Sequence, residues 1–138
     1  MRFRKDQKIE LLSRVPLLSR CSKRELARIA SLADLIEFRE GDTLMQEGKY
    51  GVEFFVIVDG WARVTRRGRK LAELGAGDWF GEIALLSNVP RTATVRITSD
   101  VTALRATRKG FAALLDESPS IQRKVLRALA DRIAPTAI

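Results

Sequence analysis

The stretch FGEIALLSNVPRTATV, residues 80–95, contains two charged side chains whose types and spacing could do chemistry. Glu82 offers a carboxylate that accepts hydrogen bonds, and Arg91 offers a planar guanidinium that donates them. The residues around them are almost all apolar or small. Burying an isolated charge is costly. These two side chains therefore pair with each other, point to water, or hold a molecule that binds from outside.

The local pattern around Glu82 is suited to a sugar phosphate. Residues 75–78, GAGD, predict a tight turn, and residues 81–86 predict a short helix. Gly81 at its start lets the backbone approach a ligand closely, and free N–H groups at a helix N-terminus bind phosphate. Arg91 can then clamp phosphate oxygens while Glu82 accepts hydrogen bonds from vicinal hydroxyls, as on a ribose. On spacing alone, a pair between Glu82 and Arg91, or a surface position for both, stays open.

The composition excludes several kinds of catalytic and metal site. The chain has no histidine and a single cysteine, Cys21. It can therefore form neither a zinc site of the usual type nor a Ser–His or Cys–His nucleophile. An enzyme built on carboxylates or lysine stays open at this point. With 25 Lys and Arg against 17 Asp and Glu, the net charge is +8. This balance favours anionic partners such as nucleic acid or phosphorylated ligands, or simply keeps a small domain in solution.

Length and apolar content favour one packed domain. The chain has 138 residues, of which 46% are hydrophobic, enough for a sizeable core. The longest purely apolar run, residues 54–58, is far too short to cross a bilayer. The N-terminus MRFRKDQKIE lacks the apolar segment of a secretory signal. A single cysteine cannot form an internal disulfide, so we expect a reducing, cytoplasmic setting.

The hydrophobic pattern predicts an α+β fold of helices, then a β-barrel, then helices. Helices are expected at about 4–33, where Ser22 and Glu25 form a capping-box signature. Short apolar runs alternate with Gly-containing turns over about 35–107, which is typical of an antiparallel jelly-roll barrel. Two further helices are expected at about 108–134. The predicted strands include 54–58, 61–65, 92–97 and 101–106, with a hairpin turn at 66–69. The last helix carries an apolar stripe of Ile121, Val125, Leu129 and Ile133, which must dock on another surface.

Residues 80–95 closely resemble the phosphate-binding cassette of the cyclic nucleotide-binding domain family, which includes catabolite activators, regulatory subunits of cAMP-dependent kinase and cyclic nucleotide-gated channels. We call these residues the cassette. The stretch VPLLSRCSKRELARIA is similar to the family's opening helices, and EGKYGVEFFVIVDGWARV to its central hairpin. The closing helices resemble its hinge and lid helices. The resemblance therefore implies one cyclic nucleotide-binding domain over residues 1–138, and the Met1 start favours a stand-alone bacterial member.

The resemblance also implies roles for individual residues. The implied ligand-binding residues are Gly81, Glu82, Ile83, Ala84, Arg91, Thr92 and Ala93. Arg91 would pair with the cyclic phosphate, and backbone N–H groups near Ala84 and Thr92 would complete that contact. Glu82 would hold the ribose 2′-hydroxyl. Ile83 and Ala93 would shape the apolar wall, with Leu74 a secondary candidate for packing near the base.

By the same resemblance, the chain is expected to be a sensor and not an enzyme. Its ligand would be cAMP or cGMP, with no cofactor and no metal. A threonine at the position of Thr92 often accompanies cGMP recognition in the family. The resemblance of the chain to bacterial members favours cAMP. Phosphate capture would move the hinge helix at 108–118, and the lid helix from Ser118 would swing over the base.

The implied partners are the cyclic nucleotide and a protein effector of unknown identity. No helix-turn-helix follows the lid helix in this sequence, so DNA binding is not expected, and neither is a membrane partner. A homodimer stays open. Two other functions also stay open: a ligand-free interaction module of the same fold, and a basic regulator that binds nucleic acid through its charged face.

Overall fold

The computed structural model describes residues 5–137. At the N-terminal end lie helix α1, Lys5–Ser13, a 3-10 turn at Pro16–Leu18 and helix α2, Lys23–Ala30. At the C-terminal end lie α3, Arg108–Glu117, α4, Pro119–Ile133, and a 3-10 turn at Ala134–Thr136. These helices fall within the ranges expected from the sequence. Helix α2 ends earlier than the predicted Ala33, and Arg4, where the first helix was predicted to begin, lies outside the described residues.

The strands between the helices form one antiparallel sheet. They are β1 Asp34–Phe38, β2 Thr43–Met45, β3 Glu53–Arg66, β4 Arg69–Leu74, β5 Trp79–Phe80 and β6 Thr94–Thr107. The order is β1-β6-β3-β4, with β2 paired to β6 and β5 paired to β3. The long strands β3 and β6 therefore form the centre of the sheet. The predicted α+β class with an antiparallel sheet and flanking helices is confirmed.

Strands β3 and β6 are each continuous where the sequence predicted two strands. The runs 54–58 and 61–65 both lie in β3, and the run 101–106 continues the strand that begins at Thr94. Gly60 has a φ of 95° and lies where the register against β6 shifts. A side chain at Gly60 would collide with the backbone at Asp100. The glycine therefore bends β3 at a bulge and does not end it, because β6 continues to pair with β3 on both sides.

Alternation along β3 distributes its side chains between two buried clusters. Phe54 and Val56 belong to the cluster between the sheet and the helices. Phe55 and Ile57 belong to the cluster on the other face of the sheet. Successive strand residues point to opposite faces, so a fully apolar run supplies both cores at once. Phe55 also stacks on Phe80, with ring centroids 5.0 Å apart, and this contact anchors the start of the cassette.

The predicted capping box is present at the start of α2 and extends to α4. The Glu25 N–H donates to Ser22 Oγ at 3.2 Å, and the Ser22 N–H donates to Glu25 Oε1 at 2.9 Å. The Glu25 carboxylate also accepts hydrogen bonds from Ser120 Oγ at 2.8 Å and Lys124 Nζ at 2.6 Å. One carboxylate thus begins α2 and holds α4 against it.

Ser118 caps the N-terminus of α4, and its hydroxyl accepts a hydrogen bond from the Ile121 N–H at 3.2 Å. The apolar stripe of α4 docks along only part of its length. Ile121 and Val125 are buried in the cluster beside the helices, and Leu129 packs against it. Ile133 at the end of the stripe is 59% exposed. None of the helices within residues 5–137 is long and apolar enough to cross a membrane.

Candidate functional site

The cassette surrounds a cavity of about 340 Å³. Its walls are residues 79–84 and 89–92, with Met45 of β2. Gly81 takes the backbone into the left-handed region with a φ of 79°, and Glu82–Leu85 follow as a 3-10 turn, in place of the short helix expected there. The cavity is of a size that accommodates a small organic ligand.

Arg91 extends into a slot between two glycines. A Cβ built on Gly51 would lie 2.7 Å from Arg91 Cζ, and one on Gly81 would lie 2.9 Å from Arg91 Nη1. The Gly81 Cβ would also come within 2.7 Å of the Glu53 carbonyl oxygen. Arg91 Nη2 donates a hydrogen bond to that same oxygen at 2.7 Å. The two glycines therefore make room for the guanidinium, and the β3 backbone fixes its direction.

The Arg91 charge has no ion-pair partner within residues 5–137. The nearby acid, Glu53, pairs instead with Arg105 Nη1 at 3.3 Å. Burial lowers the pKa of the Arg91 guanidinium, the charge of Glu53 opposes that effect, and the charge of Arg108 lowers the pKa further. Arginine still remains protonated at neutral pH. A partly buried cation without a carboxylate partner, at the wall of a cavity, is well suited to receive an anion.

Glu82 is buried, with only 6% of the residue exposed. Its Oε1 accepts a hydrogen bond from Arg132 Nη1 of α4 at 2.5 Å. Its Oε2 is buried and has no hydrogen-bond partner among the described residues. The pair between Glu82 and Arg91 that spacing alone left open is therefore absent. Glu82 lines the same cavity as Arg91 and keeps one acceptor oxygen free.

The remaining predicted site residues divide into two groups. Ile83 and Thr92 are exposed and line the cavity, and the buried Ala84 lines it too. Ala93 is 4% exposed and, like Leu74, does not line it. Leu74 instead packs against the second buried cluster. The structure therefore brings most members of the predicted site together around the cavity, whereas Ala93 and Leu74 lie outside its lining.

Arg108, the first residue of α3, holds the cassette through three backbone carbonyls. Its Nε donates to the Ala84 oxygen at 2.7 Å, and its Nη2 donates to the Ser87 oxygen at 2.9 Å and the Gly51 oxygen at 3.3 Å. The Ala84 N–H itself donates to the Gly81 oxygen at 3.0 Å. The 3-10 turn of the cassette is thus fixed internally by its own backbone and externally by α3.

Sequence reasoning missed Arg108 and Arg132 as site residues. No sequence signal indicated Arg132, because its partner Glu82 lies 50 positions away. Arg108 offered one usable signal. A cation in the first turn of a helix opposes the helix dipole, so an arginine there indicates contacts with other carbonyl groups.

Comparison with known proteins agrees with this geometry. The family model described as cyclic nucleotide-binding domain matches residues 35–118. A cAMP-dependent protein kinase regulatory subunit from Emericella nidulans is 36% identical over 115 residues, which cover 82% of this chain and 28% of the relative. One from Mycosarcoma maydis is 43% identical over 90 residues, which cover 62% of this chain and 17% of the relative. This chain thus spans well under a third of the length of these relatives.

Solved structures give the same result. The N-terminal domain of a transcriptional regulator from Streptomyces coelicolor A3(2) superposes with a TM-score of 0.84 at 28% identity, covering 91% of this chain and 94% of that one. A structure described as cAMP bound PfPKA-R gives a TM-score of 0.69 at 27% identity, covering 92% of this chain and 46% of that one. Since the family model matches more than half of the sequence, the chain belongs to the cyclic nucleotide-binding domain family.

Proposed function

We propose that this chain binds a cyclic nucleotide in the cassette cavity and that cAMP is its principal ligand. The observation that carries the proposal is that one cavity holds a cation without an acidic partner and an acceptor oxygen without a donor. Arg91 is a partly buried cation without a carboxylate partner, and Glu82 keeps a buried oxygen without a donor. A cyclic nucleotide supplies both missing groups, a phosphate anion and a ribose hydroxyl. Membership in the family supports the same ligand class.

In this proposal Arg91 binds the cyclic phosphate through its guanidinium fork. Glu82 Oε2 accepts the hydrogen bond of the ribose 2′-hydroxyl, and Gly81 lets the ligand approach the backbone. Ile83 at the cavity edge contacts the base or sugar. The Ala84 N–H must leave the Gly81 oxygen before it can donate to the phosphate, so ligand binding would loosen the 3-10 turn. Ala93 acts only through packing, and residues 1–138 work as one binding domain.

The proposed signal leaves the cassette through two arginines. Arg132 connects Glu82 to the end of α4, and Arg108 connects Ala84 and Ser87 to the start of α3. A ligand that binds Glu82 and reshapes the 3-10 turn acts on both contacts, and so shifts the position of α3 and α4. The ligand-dependent surface of α4 would then be read by a protein effector. The named relatives are regulatory subunits, which supports a regulatory role without catalysis.

The choice of cAMP is supported by the relatives, which are described as cAMP-dependent, and by the structure described as cAMP bound. Thr92 adds a hydroxyl at the cavity edge, and this hydroxyl can also donate to or accept from a guanine. We therefore propose that cGMP binds as well, with lower affinity.

Isothermal titration of the full chain with cAMP, cGMP and 5′-AMP tests the proposal. The linear 5′-AMP is the matched control, because it keeps base, ribose and phosphate but lacks the cyclic ester. We expect one site per chain for cAMP, weaker binding of cGMP, and at least about tenfold weaker binding of 5′-AMP. Absence of cAMP binding up to about 1 mM, near −4 kcal/mol, in a folded chain would contradict the proposed function.

A further inference from the structure

A second concave surface lies beside the cassette cavity. It is an open groove of about 1040 Å³ between the β3–β4 hairpin and the loop at 47–48. We call it the arginine groove after the side chains that line it, Arg66, Arg67, Arg69 and Arg91. Arg91 and Thr92 line both the groove and the cassette cavity. The two surfaces therefore adjoin each other.

The cations of the arginine groove are poorly neutralised. Arg66 Nε donates to the Thr92 carbonyl oxygen at 2.8 Å, which carries no net charge. The side chains of Arg67 and Arg69 make no hydrogen bond or ion pair with any residue in the described part of the chain. Glu47 is the acid that lines the groove, and its Oε1 already accepts the Arg67 backbone N–H at 2.9 Å.

Other cations of the same hairpin have an acidic partner. Arg63 Nη2 and Lys70 Nζ each lie 3.2 Å from Glu73 Oε1. The hairpin thus pairs its cations at one position and leaves them unpaired where they line the groove. Like charges brought together without counter-charges repel each other and destabilise the fold. A cluster of this kind is favourable when an anion binds between the guanidinium groups.

The backbone of the hairpin supports the same interpretation. Arg67 and Gly68 form the turn with φ values of 52° and 77°. Two-residue turns of this type favour Asn, Asp or Gly at the first position, because other residues are strained at positive φ. An arginine is therefore held at a position that disfavours it, and its side chain lines the groove.

We propose that the arginine groove is a second binding site for a phosphoryl group. The planar guanidinium groups are suited to bind phosphate oxygens in pairs. The anion has two sources: a second phosphate on a nucleotide whose first phosphate binds Arg91, or a free anion such as pyrophosphate. The first source rests on the proposed function of the cassette cavity, and the second does not.

The test is isothermal titration of the full chain with pyrophosphate, and separately with the dinucleotides pApA and ApA, which differ by one terminal phosphate. The variant is R67N/R69Q, since Asn tolerates the left-handed turn at position 67. The matched control is R24Q/R123Q, which removes the same charge at two exposed arginines that make no ion pair in the described part of the chain. Thermal unfolding of both variants confirms that each one folds.

We expect pyrophosphate to bind the wild type and to lose at least about tenfold in affinity in R67N/R69Q, but little in R24Q/R123Q. That result identifies the free anion. If instead pApA binds more tightly than ApA, and R67N/R69Q abolishes only this advantage, the phosphate belongs to a larger nucleotide. The proposal is overturned if the two variants have equal effects. It is also overturned if the wild type binds neither pyrophosphate nor pApA. The wild type could also bind pyrophosphate but no cAMP, while R67N/R69Q loses pyrophosphate binding. That result would support the proposed phosphate site in the arginine groove and contradict only the proposed function.

Discussion

Glu25 and Glu82 are two largely buried carboxylates that each pair with a cation of α4, but their surroundings differ. The side chain of Glu25 is 12% exposed and that of Glu82 is 8% exposed. Glu25 accepts hydrogen bonds from Lys124, Ser120 and the Ser22 backbone. Glu82 accepts one hydrogen bond, from Arg132, and its second oxygen has no donor within residues 5–137.

This difference separates a structural acid from a candidate ligand-binding acid. Burial alone would raise the pKa of Glu25, but the hydrogen bonds from Lys124, Ser22 and Ser120 lower it to about 2. Its charge is satisfied inside the protein, so it holds helices together. Glu82 lies at the wall of a cavity with one oxygen unsatisfied. A buried acceptor without a donor costs free energy, and a bound hydroxyl group would remove that cost.

Arg91 of the cassette and Arg108 of α3 differ in the same way. Arg108 donates to three carbonyl oxygens, and these hydrogen bonds hold α3 to the cassette. Arg91 donates to one carbonyl oxygen, from Glu53, and lines the cavity. Both side chains are partly buried, so burial does not distinguish them. The number of hydrogen bonds that each guanidinium donates does distinguish them. By this measure Arg91 is the cation that is available to a ligand.

The largest expected effect comes from removing that available cation. We expect Arg91→Ala to weaken cAMP binding by about 2–5 kcal/mol, because the bound phosphate then loses its charged partner. Arg91→Lys should recover only part of this loss, since the lysine lacks the guanidinium fork. Titration calorimetry measures the affinity, and thermal unfolding checks the fold. Binding of the folded Ala variant within threefold of wild type, about 0.65 kcal/mol, would remove Arg91 from the site.

Removing Glu25, the acid whose hydrogen bonds are satisfied inside the protein, should affect stability and not ligand binding. We expect Glu25→Ala to lower the free energy of unfolding by about 1–3 kcal/mol, because Lys124 and two further donors lose their acceptor. The cAMP affinity should stay within threefold of wild type. Urea unfolding and calorimetry on the same preparation measure the two quantities. A variant that keeps its stability but loses affinity would reverse the roles assigned to the two acids.

The same acid predicts a dependence of stability on pH. The pKa of Glu25 is about 2 in the folded protein against an ordinary value of 4.5, so the folded state resists protonation more than the unfolded state. The contribution of Glu25 is therefore fully present above pH 4.5 and is lost as the pH falls from 4.5 through about 2. Urea unfolding over this range should show a steeper decline for wild type than for Glu25→Gln. Parallel declines would show that Glu25 does not contribute.

A smaller effect on nucleotide affinity tests the role of Glu82, the acid with an unsatisfied oxygen. If Glu82 accepts the ribose 2′-hydroxyl, wild type should bind cAMP about 1.5 kcal/mol more tightly than 2′-deoxy-cAMP, the value of a hydrogen bond to a charged acceptor. The difference should disappear in Glu82→Ala. Competition binding with both nucleotides measures it. A variant that still prefers cAMP by the wild-type margin would show that the 2′-hydroxyl binds elsewhere.

The smallest expected effect is at Thr92, which lines the cavity but is exposed. We expect Thr92→Ala to weaken cGMP by about 0.5 kcal/mol more than cAMP, because the hydroxyl can bond the 2-amino group of guanine, which adenine lacks. The comparison requires both nucleotides on wild type and variant in the same competition assay. An equal loss for both would indicate that Thr92 serves only the phosphate.

The sequence by itself determined the features that depend on near neighbours. The capping box at Ser22 and Glu25 formed as predicted because its partners lie three positions apart. The order of helices, strands and helices followed from the hydrophobic period, and the cassette was found from its own contiguous residues. Gly60 shows the limit of this reasoning. A glycine in a strand pattern marks either a turn or a bulge, and only the pairing partner β6 decides between them.

The tertiary structure alone decided which charges at the site are satisfied. Glu82 and Arg132 lie 50 positions apart, Arg91 and its backbone acceptor at Glu53 lie 38 apart, and Arg108 reaches Ala84 across 24 positions. Long side chains such as arginine have many rotamers and several acceptors within reach. Which acceptor they find depends on where the folded chain places distant backbone and side-chain groups. A sequence pattern depends on residues that are close together along the chain. It therefore identified the charged residues of the cassette, but not the distant groups that they contact.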